Sequence, residues 1–379
     1  MSSTSRALSL VPVSLVVTPA GAEQTNAPAA KPASVRTETV AQGLEHPWGL
    51  AFLPDGRLLV TERPGRMRLV TKNGKLSAPI AGLPEIAVLG QGGLLDVALG
   101  PDFATSGAIY LSYAEPREAG KNGTSVARAK LVLEGDGGKL EDVAVIFRQE
   151  PAIKSTYHFG SRLVFARDGS LFITTGERNF ARNEAQNPAN HLGKVIHVMP
   201  DGAPAPDNPK LAGWDPKVWS IGHRNIQGAA LDPDTGQLWT VEHGARGGDE
   251  LNHPQAGKNY GWPLITYGRD YTGARIGEGT GKEGLEQPVY YWDPSIAVSG
   301  LAFYTADLIP EWKGNLFVGG LVGAHLERLV LEGEEVVAHE KLLTDLGERI
   351  RDVRQGPDGA LWLLTDEKNG KVLRLVPSK

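Results

Sequence analysis

Short apolar runs separated by turn residues recur along the chain from residue 49 onward. Each run of four to six apolar positions meets an Asp-Gly or Pro-Asp step, and a second apolar run follows. Six such units lie at 49–60, 94–113, 161–174, 227–240, 299–318 and 351–364. The Asp-Gly steps predict hairpins with type I′ turns, because that turn needs positive φ at both central positions. Further apolar runs that predict outer strands follow at 65–70, 127–134, 193–198, 325–332 and 370–376, and the string Leu-Val-Leu-Glu-Gly occurs at both 131–135 and 329–333. Six hairpin-plus-strand units predict an all-β, six-bladed β-propeller rather than a sandwich, which would stop after seven or eight strands. Helical periodicity over a dozen residues is absent. The run 37–42 precedes the first unit and is expected to complete the last blade, closing the ring and removing a free sheet edge. Long insertions at 178–192, 200–218 and 252–297 are expected in blades three to five, and loops on a rigid scaffold are where function concentrates.

Composition narrows the picture. The 379 residues include 47 Gly and 26 Pro, a turn-rich usage, and 41% are apolar, enough for a sizeable core. Net charge is −5, with no Lys/Arg tract longer than two, which disfavours nucleic acid and anionic membrane surfaces as partners. The absence of cysteine excludes disulfides, zinc-thiolate sites, iron–sulfur clusters and thiol nucleophiles. Arg6, an apolar stretch over 7–17 and Ala20-Gly-Ala22 form a signal-peptide pattern over residues 1–22, which predicts a periplasmic or secreted protein. Residues 23–35 read as a flexible linker, leaving 36–379 as one propeller domain. No stretch of 18 consecutive apolar residues occurs, so no membrane span is expected.

Polar residues that could do chemistry gather at the edges of the predicted strands. They are His158 in 155–162, Arg224 and Asn225 in 222–228, Glu242 and Glu250 in 242–252, and Arg349 and Arg351 in 347–353. Clustered guanidiniums suit an anionic small molecule, and a histidine beside them could be a general base near neutral pH. A strand-start histidine can equally be a structural hydrogen-bonder, and Arg224 and Asn225 can be turn caps. Arg349 and Arg351 alternate along a strand and so share a face, either on the central channel or on a solvated edge. The acidic, glycine-rich segment 242–252 offers hard oxygen ligands, from Glu and backbone carbonyls, of the kind calcium takes, with a metal-free loop as the alternative. Gln91 lies in Leu89-Gly-Gln-Gly-Gly-Leu-Leu95, where glycines permit close approach of a ligand. No G-x-G-x-x-G precedes a strand-to-helix step, so a Rossmann nicotinamide site is not expected.

Six motifs in order, at 47–52, 90–95, 158–163, 222–225, 248–252 with 259–263, and 349–353, resemble the soluble pyrroloquinoline quinone (PQQ)-dependent sugar dehydrogenases, in particular their aldose sugar dehydrogenase branch. The likeness spans roughly residues 36–377. It implies a six-bladed propeller that oxidises aldoses at the anomeric carbon to lactones, passing hydride to PQQ. It also implies His158 as catalytic base, and cofactor contacts from Gln91, Arg224, Asn225, Gly320, Leu321, Val322, Arg349 and Arg351. Calcium would be held by Gly244, Ala245, Glu250 and Tyr260. Val322 stands where some members carry a basic residue, and Ala245 where the glucose-specific branch carries proline. The implied partners are an aldose and an unidentified electron acceptor, with the protein a monomer or homodimer. Two alternatives remain at this point: a calcium-dependent lactonase-type propeller, with Glu, Asn and Asp ligands at the channel centre, and a non-catalytic propeller used as a binding platform.

Overall fold

The computed structural model describes residues 27–378. The described chain forms six antiparallel sheets, five of four strands and one of three, arranged as the blades of a propeller. The innermost strands, in chain order, are Pro47–Phe52, Leu94–Leu99, Gly160–Phe165, Ile226–Leu231, Val298–Phe303 and Ile350–Gln355. Each packs beside the next around the ring, and the last returns to the first. Their backbones approach so closely that side chains are excluded at points. A Cβ on Gly300 would lie 2.4 Å from the Val353 nitrogen, and one on Gly228 2.2 Å from the Ser299 carbonyl oxygen.

Alternation along the strands puts apolar side chains on both blade faces, so the core divides into layers between neighbouring blades. Leu59, Met67 and Leu69 of blade one meet Ile109, Leu111 and Tyr113 of blade two. The same arrangement recurs at the other five interfaces, for example Leu50 and Val60 against Leu364 and Val372 where blade one meets blade six. The ring closes as expected. Strand Val35–Leu44 pairs with Gly370–Pro377, and Val35 lies opposite Pro377. Blade one has three strands, and segment 77–80 covers its outer edge through bonds from the Ser77 and Ile80 amides to the Leu69 and Met67 carbonyls.

Three features differ from the sequence expectations. The hairpin turns are not type I′: positive φ occurs at Gly56, Gly169 and Gly359 but not at the aspartates before them. Pro54 and Pro357 fix negative φ at the first turn position, which I′ forbids, so a left-handed glycine follows an ordinary turn instead. The long insertions belong to blades three and four, because strand Tyr290–Trp292 inside 252–297 is the outer strand of blade four. From Ala27 on, the stretch read as a linker is docked on blade five. The Ala30 amide donates to the His339 carbonyl, the His339 amide to the Pro28 carbonyl, and Arg328 to the Lys31 carbonyl. The signal-peptide segment 1–22 lies outside the described residues. Among the described residues the only α-helix is Phe103–Ser106, and no helix is long and apolar enough to cross a membrane.

The channel is blocked partway by charge. The buried Arg162 guanidinium bonds Asp352 at 2.8 Å, Asp96 at 3.4 Å, and the carbonyls of Gln227 and Arg351. It also lies 4.2 Å from the centre of the Trp48 ring. Arg354 joins Asp96 and Asp352 from below, at 2.9 and 3.0 Å. Two cations thus balance two anions, and one arginine ties blade three to blades one, two, four and six.

Candidate active site

Above this plug, the starts of the innermost strands and the ends of the second strands enclose a cavity of roughly 770 Å³. Arg63, Arg349, Arg351 and Lys368 line it against Asp366 and Glu367, so cations outnumber anions. Trp48, Leu95, Phe159, Leu321 and Val322 make its apolar wall. Arg351 Nη2 bonds Asp366 at 2.6 Å, and Arg349 Nη2 lies 3.7 Å from the same oxygen. Burial acts against the Asp366 anion, but Arg351 and His46 more than offset it and hold the carboxyl well below its usual range. The Arg63 guanidinium is pushed below its usual value, by burial first, and its neighbours Arg351 and Arg349 add to this. Buried Nε atoms of Arg351 and Arg224 have no hydrogen-bond partner. Surplus positive charge and unsatisfied donors are what an anionic ligand would answer.

His158 is not itself among the residues that line this cavity, but its chain neighbours Phe159 and Gly160 and its partner Gln91 are, and it lies two residues before strand Gly160–Phe165. It is buried, and its backbone is left-handed with φ 51°. Its amide donates to Gln91 Oε1 at 2.8 Å. Its Nδ1 lies 2.9 Å from Glu177 Oε1. A carboxylate only accepts, so Nδ1 carries the proton and Nε2 is the free basic nitrogen. Burial and Arg224 lower the imidazole pKa from its ordinary value, while Glu177 pulls it upward. Burial and Arg224 thus both favour the neutral ring, the form a base needs. His243, on the cavity wall, donates from Nε2 to the Val298 carbonyl, and burial with Arg224 and Arg351 drops its pKa to about 3.

A much smaller cavity adjoins, lined by Arg224, Glu242, Gly244, Gly248, Glu250 and Tyr260. Burial and the nearby Glu242 carboxylate push Glu250 up to about 8. Asn252 donates to both glutamates, and its own buried Oδ1 has no partner. Two crowded carboxylates, an orphaned amide oxygen and glycine carbonyls make an oxygen-rich set that calcium would satisfy. Among the described residues no cluster of three or more His, Cys, Asp or Glu side chains forms a metal site, so amide and backbone oxygens would have to complete the set.

The residues singled out in the sequence therefore divide. Gln91, Leu321, Val322, Arg349 and Arg351 line the large cavity. Arg224, Gly244, Glu250 and Tyr260 line the small one. The Tyr260 hydroxyl is committed elsewhere: it donates to the His253 carbonyl at 2.5 Å and accepts from the Gln255 amide at 3.0 Å. Only the Tyr260 carbonyl is left for a cation. Asn225 lines neither cavity. Its Oδ1 accepts from the Gly160 amide and Gln227, stitching blades three and four. Gly320 is a buried strand end whose amide bonds the His325 carbonyl; Ala245, expected to offer its backbone carbonyl, lines neither cavity, and its side chain packs with Ala185, Trp262 and Ile276.

Sequence reading passed over Glu177, Asp366, Arg63, His46 and His243. A signal for the first was present: Glu177 follows His158 by 19 residues, as Glu242 follows His223 by 19, and both carboxylates hold the histidine Nδ1 at 2.9 Å. Likewise Thr365-Asp366 repeats the strand-end placing of Thr61-Glu62.

The sequence profile of the Glucose / Sorbosone dehydrogenase family matches residues 44–374. The chain belongs to that family. It is an oxidoreductase, and its relatives are sugar dehydrogenases. It is 47% identical to Aldose sugar dehydrogenase YliI of Escherichia coli (strain K12) over 353 residues, covering 92% of this chain and 94% of that one. A crystal structure of a glucose dehydrogenase is 52% identical and superposes with a TM-score of 0.87, covering 91% of this chain and all of that one. The PQQ-bound aldose sugar dehydrogenase of Streptomyces coelicolor is 31% identical with a TM-score of 0.75, over 91% of this chain and all of that one. The lactonase alternative expected Glu, Asn and Asp metal ligands at the channel centre. In this member of the family the Arg162–Asp96–Asp352–Arg354 network occupies that position.

Proposed function

We propose that the protein oxidises aldoses at the anomeric carbon to lactones, with PQQ as bound electron acceptor, calcium as its partner ion and His158 as general base. The observation that carries this is the His158 imidazole. Its Nδ1 is fixed on Glu177, its Nε2 is free, and it stands beside a cavity with surplus arginine charge. The relatives named for aldose and glucose dehydrogenation, one of them PQQ-bound, support the same reading.

When bound, PQQ supplies the two-electron acceptor for the sugar's anomeric carbon. Arg63, Arg349 and Arg351 would hold its carboxylates. Glu250, the Asn252 amide oxygen and the Gly244 and Tyr260 carbonyls would hold calcium, a Lewis acid. The apolar wall of Trp48, Leu95, Phe159 and Leu321 limits water, which strengthens each electrostatic contact. His158 Nε2 accepts the proton of the anomeric hydroxyl as the C1–H bond is broken. The resulting imidazolium is stabilised by Glu177, which fixes the ring's tautomer and direction. The electrons then pass to an external acceptor.

The test is reconstitution. Purified protein is mixed with PQQ and Ca²⁺, an aldose is added, and reduction of a redox dye is followed with lactone formation. Dye reduction that needs all three components is expected. PQQ uptake seen by absorbance, without oxidation of any aldose tried, would overturn the assignment.

A further inference from the structure

His46 repeats the construction of His158 in a different blade, and it lines the large cavity itself. Each histidine stands just ahead of an innermost strand, His46 before Pro47–Phe52 and His158 before Gly160–Phe165. Each has a left-handed backbone, with φ 46° and 51°. Each presents Nδ1 to a carboxylate just past the end of a second strand, His46 to Asp366 at 2.8 Å and His158 to Glu177 at 2.9 Å. Asp366 is held ionised by Arg351 and His46, and a carboxylate only accepts. The neutral His46 ring therefore carries its proton on Nδ1, and Nε2 is the basic nitrogen.

The placement is imposed by its surroundings. A left-handed backbone is unfavourable for a non-glycine residue, and proline pushes the residue before it toward extended conformations. His46 precedes Pro47 and is nonetheless held left-handed by two bonds. Its amide donates to the Glu367 carbonyl at 2.8 Å, and its carbonyl accepts from the Arg63 amide at 3.0 Å. Strain maintained in this way gathers at functional sites. Two nearby histidines are unavailable for the same work. His223 uses both nitrogens, Nδ1 on Glu242 and Nε2 on Ser220. His243 bonds the Val298 carbonyl, and a pKa of about 3 keeps it neutral.

The proposed reaction produces a proton that His158 does not account for. Conversion of an aldose to a lactone breaks the C1–H and anomeric O–H bonds, makes the C=O bond, and releases two electrons and two protons. A one-electron oxidant, acting twice, removes the electrons and leaves both protons behind. One goes from the hydroxyl to His158 Nε2. The hydrogen from C1 must leave as the second proton when the site is reoxidised. The His158 side chain is only 7% exposed, whereas that of His46 is 24% exposed. His46 thus joins the cavity to solvent, and imidazole is the side chain that ordinarily takes and gives a proton near neutrality. Asp366 is placed to stabilise its imidazolium as Glu177 is for His158.

We propose that His46 is the proton exit of this site: its Nε2 receives the proton set free on reoxidation by a one-electron oxidant and passes it to solvent. This rests on the reading of the protein as a PQQ-dependent dehydrogenase.

The test starts from protein loaded with chemically reduced PQQ, so it needs neither an aldose nor His158. Reoxidation by ferricyanide, which takes one electron and no proton, is followed by absorbance. In His46→Gly, a change that suits the left-handed backbone, it should slow about 10²-fold, the lower end for a proton-transferring side chain. His46→Asn should behave alike. Added imidazole should restore the His46→Gly rate in proportion to its concentration. Pyrazole, of the same shape but not protonated near neutral pH, should not. Reoxidation by dichlorophenolindophenol, which takes two protons with its two electrons, should be nearly unchanged, as should the midpoint of PQQ titration. A further measurement uses the native, cofactor-free protein: nitrogen-15 NMR should show neutral His46 as the Nδ1–H tautomer. An Nε2–H tautomer, equal slowing with both oxidants, no slowing with ferricyanide, or rescue by pyrazole as well as imidazole would overturn the proton exit. So would a raised PQQ midpoint, which would assign His46 to holding the cofactor. If no aldose is oxidised but ferricyanide reoxidation behaves as expected, the proton exit stands and the assignment of His158 and its substrate fails.

Discussion

At the scale of single residues, the proposed chemistry turns on a histidine whose two nitrogens are in different situations. His158→Ala should leave PQQ binding nearly intact and lower kcat by ~10²–10⁴-fold, the usual contribution of a general base. Single-turnover reduction of bound PQQ by glucose measures it, and retention of over half the native rate would remove His158 from the role. The pH profile follows from burial. Because the folded imidazole titrates below its ordinary value, the acid limb of kcat/KM should lie below pH ~6.5. Glu177 raises that pKa, so Glu177→Gln should move the limb to still lower pH while reducing kcat. A limb displaced upward would contradict the pairing. Arg351→Ala should raise the PQQ concentration needed for reconstitution by the equivalent of ~1.5–3 kcal/mol, the range for charged hydrogen bonds. An unchanged titration midpoint would show that Arg351 does not hold the cofactor. His158, Gln91 and the two arginines were legible in the sequence because they stand in motifs at strand edges. Their counter-ions were harder to see. Glu177 and Asp366 are ordinary acidic residues at the ends of second strands, and they acquire meaning only once the blades bring them opposite His158 and Arg351.

At the scale of elements, the hairpin repeat was readable because period-two alternation and Asp-Gly steps are local properties. The turn class was misread at Asp55 and Asp358 because proline one position upstream decides it; at Asp168, which follows Arg167, no proline does. The division of insertions between blades was also hidden, since Tyr290–Trp292 is a three-residue strand inside a 46-residue stretch with no alternation long enough to announce it. The ring of innermost strands carries its own prediction. Arg162 joins blade three to four others, and its removal leaves Asp96 and Asp352 buried with Arg354 alone to balance them. Arg162→Ala should cost ~3–5 kcal/mol, as expected for breaking a buried ion network from one side. Denaturant unfolding of the cofactor-free protein would measure this. A loss under ~1 kcal/mol would mean that water or Arg354 readily takes over the position.

At the scale of the whole molecule, calcium should act on both activity and stability. Glu242 and Glu250 crowd each other in the small cavity, and an ion that binds the folded state alone raises apparent stability by mass action. Chelation should lower the melting temperature and prevent reconstitution with PQQ, Ca²⁺ should restore both, and Mg²⁺ should do so poorly. Full PQQ-dependent aldose oxidation by a preparation shown metal-free by elemental analysis would remove calcium from the assignment. The shared sixth blade has a different kind of consequence. Because Val35 lies opposite Pro377, the two ends of the propeller are neighbours in one sheet, and where the polypeptide starts is topologically arbitrary. A short linker could join them while new ends are opened at Asp136, in the exposed hairpin between the outer strands Asn122–Glu134 and Gly137–Arg148 of blade two. Such a circular permutant should fold and take up PQQ like the parent. It would then carry any fused electron-transfer module on the rim of blade two rather than that of blade six.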